Sequence, residues 1–198
     1  MNKINFELSP STFNAIYNYA KYLNLNITII IRYFLSEQIH SYNHDESNFA
    51  SNYKNCKFKK TSIESETYEY LNRKPKKYSF YVSDYIYNGL QAIQKQYEKK
   101  NNKTNVVVNN LLHISLRSLE LESLHPKYSI SNDSGRRNTL GAEGITKQYA
   151  IPLSVELSTR LDNISITTGI KKNQLMSIII SNYLIDHSAE YEEDMFIL

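Results

Sequence analysis

The sequence has a single cysteine, Cys56, and no tryptophan. One thiol excludes a disulfide framework within the chain. No apolar run reaches the ~18 residues of a membrane-spanning helix, and no apolar signal segment opens the chain. The expected address is therefore the cytoplasm, with no membrane partner. The five histidines show no ligand spacing with Cys56, so no metal site is expected. No nucleophile elbow, phosphate-binding loop or zinc-protease motif occurs. These absences together point to a protein that is not an enzyme and holds no cofactor.

What is present is ordinary in bulk and uneven in distribution. Hydrophobic residues make up 41% of the 198, enough for real cores, and charged residues 22%, too few for a wholly disordered chain. The net charge is +3. Residues 1–146 carry 19 Lys+Arg against 13 Asp+Glu, whereas residues 147–198 carry 4 against 7. A basic body permits an anionic partner, and an acidic last quarter does not share it. The 17 tyrosines and the abundant Lys, Asn and Ile suggest an AT-rich genome, which dilutes the meaning of any single Tyr or Asn.

One pattern recurs three times. In the C-terminal copy Tyr149, Ile151 and Leu153 alternate with Gln148, Ala150 and Pro152, as an extended segment does. Ser154 then caps a helix with the stripe Leu157, Leu161 and Ile164, which stops at Gly169. A second helix carries Leu175, Met176, Ile179, Ile180 and Tyr183. In the first copy Ile4, Phe6 and Leu8 alternate, and Ser9 caps with Pro10 at the first helical position. Phe13, Ile16, Ala20 and Leu23 follow, and Asn24 supplies the left-handed turn. Thr28 caps or opens the second helix, with Ile30, Ile31, Phe34, Leu35 and Gln38 as its stripe. These two copies align without a gap, since Phe6 to Leu35 and Ile151 to Ile180 are both 29 residues. In the middle copy Tyr78, Phe80 and Val82 alternate, Ser83 or Asp84 caps, and Ile86, Leu90, Ile93 and Tyr97 repeat. Val107, Val108, Leu111, Leu112 and Leu116 continue its second helix. Phe80 to Leu112 is 32 residues, about one helical turn more.

The predicted organisation is unit one at 1–42, a linker with a short helix around Ser62 to Leu71 at 43–76, unit two at 77–122, a flexible linker at 123–146, unit three at 147–187 and an acidic tail with an apolar end at 188–198. Strand, helix, tight turn and helix in about 40 residues resembles a ribbon-helix-helix unit, the fold of a large family of small DNA-binding proteins. The resemblance implies a mainly α fold with short β, in which strands pair as two-stranded antiparallel ribbons and helices close over them. It also implies double-stranded DNA as partner, with the ribbon in the major groove.

Carried over position by position, the outward strand residues read base edges: Lys3, Asn5 and Glu7, then Lys77, Ser79 and Tyr81, then Gln148, Ala150 and Pro152. Ala150 and Pro152 offer only apolar contacts, so unit three has the weakest reading face. The start of each second helix is expected to meet a phosphate, through Asn26 to Thr28, through Lys103, Thr104 and Asn105, and through Lys171 to Asn173. Arg73, Lys74 and Lys76 form a basic arm entering the second ribbon, and Arg136 with Arg137 resembles a minor-groove arm. The tyrosines lack the histidine cluster or Arg–His constellation that a DNA-nicking enzyme needs.

Chains with several such units resemble accessory proteins of conjugative relaxosomes, which bind repeated sites at a transfer origin and recruit the nicking enzyme. The tail at 188–198 reads as a docking segment for a protein such as a relaxase. A transcriptional repressor, a plasmid partition protein and an antitoxin-like oligomerisation protein are the alternatives. Three units cannot all pair within one chain, so a homo-oligomer is expected. Either units one and two pair in the chain and unit three joins two chains in a dimer, which is the favoured arrangement, or every unit pairs with its own copy.

Overall fold

The computed structural model describes residues 2–56, 76–98, 104–118 and 150–186. Among these the chain is mainly helical, with one small two-stranded antiparallel sheet. Strand β1 (Asn2–Leu8) leads into α1 (Pro10–Tyr22), α2 (Ile27–His44) and α3 (Glu46–Asn55). Strand β2 (Lys76–Val82) leads into α4 (Asp84–Tyr97) and α5 (Thr104–Ser118). The helices α6 (Val155–Thr168) and α7 (Lys172–Asp186) close the described chain.

Local chemistry sets these boundaries. Ser9, Ser83 and Ser154 are N-caps in extended conformation, and each hydroxyl accepts the N–H three residues on, at 3.2, 3.3 and 3.2 Å. Asn26, rather than Thr28, caps α2, with Oδ1 accepting both the N–H and the hydroxyl of Thr28 at 2.9 Å. The turn after α1 passes through Asn24 at φ 53°, and the one after α6 through Gly169 at φ 71°. Both positions need the left-handed region that Asn tolerates and Gly occupies freely.

β1 and β2 pair antiparallel, with Asn5 opposite Ser79, Ile4 opposite Phe80 and Phe6 opposite Tyr78. Ile4, Phe6, Leu8 and Val82 are buried beneath the ribbon, against Ile16, Ile30, Ile31, Phe34 and Leu35 of the first segment and Ile86, Leu90, Val108, Leu111 and Leu112 of the second. Phe6 stacks on Tyr78 at 5.8 Å and meets Phe80 edge-on at 5.7 Å. α2 packs across α5 and α4, so the two segments share one core. At the α2–α4 crossing a Cβ on Gly89 would lie 2.4 Å from Ile39 Cγ2. Glycine is what lets the helices approach so closely.

Two expectations are corrected. The stretch 43–76 does not begin as linker: Asp45 caps α3, whose Phe49 and Tyr53 are buried in the common core. The helix expected around Ser62 to Leu71 lies outside the described residues. Of the expected third strand only residues 150–153 are described; they are irregular, and Ile151 is 56% exposed. A strand needs a neighbour for its ladder bonds, and none adjoins this segment among the described residues.

The last two helices nevertheless dock on the rest. Leu161, Ile170, Leu175 and Ile178 are buried. Ser83 Oγ donates to the Thr167 carbonyl at 2.5 Å, and Asn182 bonds the hydroxyls of Tyr19 and Tyr33. No helix among the described residues is long and apolar enough to cross a membrane.

Candidate nucleic-acid interface

The ribbon turns its even-numbered β1 side chains to the core and its odd-numbered ones outward. Lys3, Asn5, Lys77, Ser79 and Tyr81 are exposed, and Glu7 is half-buried. Their register places Lys3 opposite Tyr81, Asn5 opposite Ser79 and Glu7 opposite Lys77. Glu7 and Lys77 approach to 3.6 Å in a solvent-screened ion pair. Lys76 stands opposite Leu8 in the backbone register.

This face has a local two-fold axis that the chain breaks chemically. Phe6 and Phe80 hold equivalent places, so Asn5 is equivalent to Ser79, its own cross-strand neighbour. Lys3 then corresponds to Lys77, and Glu7 to Tyr81. One half of the face therefore carries a lysine beside a tyrosine, and the other a lysine paired to a carboxylate.

Both outer edges of the ribbon are tied down by the opposite segment's second helix. Arg32 of α2 donates through Nη2 to the Tyr81 carbonyl at 2.8 Å and lies 5.6 Å above the Phe80 ring. Burial lowers the pKa of this guanidinium from its usual value. Asn109 of α5 donates through Nδ2 to the Glu7 carbonyl at 2.8 Å, and Asn105 Oδ1 accepts the Glu7 N–H at 2.8 Å. Phe6 to Arg32 is 26 residues and Phe80 to Asn109 is 29, the same three-residue difference as between their leucine stripes. The two ties are thus equivalent contacts made with different side chains. They hold backbone groups that would otherwise be free to pair with another strand. Beneath the ribbon, burial pushes the Tyr78 phenol well above its usual range, so it is a neutral core group.

Of the helix starts expected to meet phosphate, that of α5 reaches the β1 edge through Asn105, and that of α2 precedes Arg32 at the β2 edge. Asn26 is exposed and Thr28 half-buried at the start of α2, one turn before Arg32. Thr104 at the start of α5 donates to Gln94 Oε1 at 3.2 Å. The Asn105 side-chain oxygen is committed to β1, which makes it a support for the ribbon. At the start of α7, Lys171 and Asn173 are exposed, and Asn173 Oδ1 accepts the Gln174 N–H at 3.0 Å. Arg73, Lys74, Lys103, Arg136, Arg137 and Gln148 lie outside the described residues. Ala150 and Pro152 are exposed in an irregular segment, apart from the β1–β2 ribbon.

The sequence reading passed over His40 and His44, whose i,i+4 spacing brings their rings 4.3 Å apart on α2. Two imidazoles do not make a closed metal site, and no cluster of three ligating side chains exists among the described residues. The edge ties through Arg32, Asn105 and Asn109 were also missed. Only the matched residue counts from each strand to each helix could have exposed them. Comparison with family models, curated proteins and solved structures finds no match.

Proposed function

We propose that the chain is a sequence-specific duplex DNA-binding protein built from three ribbon-helix-helix units, with the β1–β2 ribbon as its reading element. The observation that carries the reading is the ribbon itself: two strands, edges tied, apolar side chains inward and a polar face outward. A two-stranded ribbon fits the ~12 Å major groove, and Lys, Asn and Ser are side chains able to pair with base edges there. Lys3 and Lys77 donate to guanine, Asn5 pairs with adenine, Ser79 serves either, and Glu7 accepts from cytosine. The N-termini of α2 and α5 flank the ribbon and offer N–H groups to the adjacent phosphates, with Asn26, Thr28 and Thr104 at hand. Because the two halves of the face differ, the site read by one chain is not a perfect palindrome.

In this reading the chain belongs with accessory proteins of a conjugative relaxosome, acting at repeated sites of a transfer origin. The acidic tail with its apolar end supports recruitment of a protein such as a relaxase. A transcriptional repressor or a plasmid partition protein would use the same face, and neighbouring genes would separate these roles.

The test is selection of bound duplexes from a random pool, followed by titration of the recovered site against salt. A steep salt slope and a defined site are expected. Asn5→Ala should cost about 1–3 kcal/mol on that site and relax one base position. An equal loss on unrelated DNA would remove Asn5 from base reading, and no duplex binding at low salt would leave an interaction protein instead.

A further inference from the structure

The two edges of the ribbon are tied by equivalent contacts, but only one tie carries a charge. At the β2 edge it is Arg32, half-buried, whose Nη2 donates to the Tyr81 carbonyl. A guanidinium has five N–H donors. Among the described residues Arg32 meets no other acceptor, and its buried Nε–H has none. Among the same residues no carboxylate pairs with it. Asp84, just beyond the end of β2, accepts from Asn2 at 2.9 Å. The Phe80 face 5.6 Å away offsets only part of the cost of burying the cation. Burial without a counterion is also what lowers its pKa.

The β1 edge differs. Asn109, at the equivalent place, is buried and neutral, and its amide donors are spent on the Glu7 and Asn105 carbonyls. The outward face repeats the contrast. Lys3, opposite Tyr81, has no ion pair among the described residues, whereas Lys77 on the other half is paired to Glu7.

We propose that Arg32 holds a backbone phosphate of the duplex at the β2 edge, with no cation doing so at the β1 edge, so that one chain grips its two half-sites unequally. The proposal rests on the ribbon being the reading element. Paired strands lie about 4.7–4.9 Å apart and the major groove is about 12 Å wide. A ribbon in the groove therefore stands within about 3–4 Å of a phosphate wall on each side. At the β2 wall a planar cationic fork, the shape that suits phosphate oxygens, waits without an anion. At the β1 wall the equivalent side chain has no donor left to give. The phosphate supplies the counterion that the fold withholds from Arg32.

The test uses the full chain and the duplex recovered by selection. Arg32→Gln removes the charge and keeps an amide donor. The slope of log K against log salt should flatten by about one for each ribbon bound. Binding should weaken about eightfold at ~0.1 M salt, by the same factor on selected and unrelated duplex. Asn109→Ala cuts the equivalent tie with no loss of charge and should leave the slope as it is, which separates a lost phosphate contact from a loosened ribbon. Methylphosphonates, each removing the charge of one phosphate, are then scanned along both strands. One position should weaken wild-type binding and cease to matter in Arg32→Gln, and its dyad-related position should show no such dependence. Should Arg32→Gln fail to fold, the scan with wild type decides, with unequal losses at dyad-related phosphates expected. An unchanged slope in folded Arg32→Gln overturns the proposal and leaves the reading of the ribbon standing. Equal losses at every dyad-related pair of phosphates do the same. Binding of no duplex at low salt overturns both.

Discussion

Gly89→Ala should destabilise the protein, although alanine is the better helix former. Gly89 sits inside α4, where exchange for alanine ordinarily gains about 0.5–1 kcal/mol. Here the new methyl would lie 2.4 Å from Ile39 Cγ2 and 2.9 Å from Cγ1 and Cδ1. Carbon atoms prefer about 3.5–4.0 Å, so more than ~1 Å must be recovered by movement. Ile39 is fully buried and β-branched, so it cannot swing aside. Overpacking of this kind costs about 1–3 kcal/mol, which against that gain leaves a net loss of about 0–2.5 kcal/mol, centred on ~1 kcal/mol. Urea denaturation should show a lower midpoint at unchanged slope. Ile39→Ala alone should cost about 2–5 kcal/mol through the cavity it leaves. In the double variant the methyl added at position 89 enters that cavity, so the two losses should fall short of additive by at least ~0.5 kcal/mol. Ile39 follows β1 and Gly89 follows β2, so this coupling reports the pairing of the first two segments within the fold. A neutral or stabilising Gly89→Ala, or strict additivity, would refute the close α2–α4 crossing.

Three further outcomes follow from the ribbon and the tail. Asn109→Ala removes a buried donor to the Glu7 carbonyl and should cost about 1–3 kcal/mol in urea denaturation. An unchanged midpoint would mean that the edge tie is idle. Glu7→Gln breaks an exposed ion pair, so stability should move by less than ~1 kcal/mol. Its affinity for unrelated duplex should rise as a carboxylate that repels phosphate is neutralised, while the selected site should lose discrimination at the cytosine that Glu7 reads; an unchanged base preference would contradict that role for Glu7. Deleting residues 188–198 should leave duplex affinity unchanged or slightly raised, because the removed segment is acidic. A large loss of affinity would end the docking-tail reading.

The sequence revealed the parts of the fold that local chemistry decides. Alternation marked β1 and β2, and helical spacing marked the buried stripes of α1, α2, α4 and α5. Ser9, Ser83, Ser154, Asn24 and Gly169 all act at the positions their side chains or backbone freedom suit. Parts decided by distant partners were not legible. α3 has only Phe49 and Tyr53 as large buried anchors in an otherwise polar string, so its periodicity is faint until the core beneath it is known. Asn105 looked like a phosphate ligand because the strand edge that takes its oxygen lies 98 residues away. Residues 150–153 are irregular for the converse reason: their alternation is sound, but pairing is not a local property. Of the expected reading residues, the six on β1 and β2 came together on one outward face. Alternation predicts that facing, and the antiparallel register then sets their pairing.

The central claim is that the outward face of the β1–β2 ribbon reads duplex DNA. Amide chemical-shift mapping during titration with the selected duplex tests it most directly. The largest shifts should fall on Lys3, Asn5, Lys77, Ser79 and Tyr81, with smaller ones at Asn26 to Thr28. Shifts confined to α6 and α7, or none at saturating duplex in low salt, would contradict it.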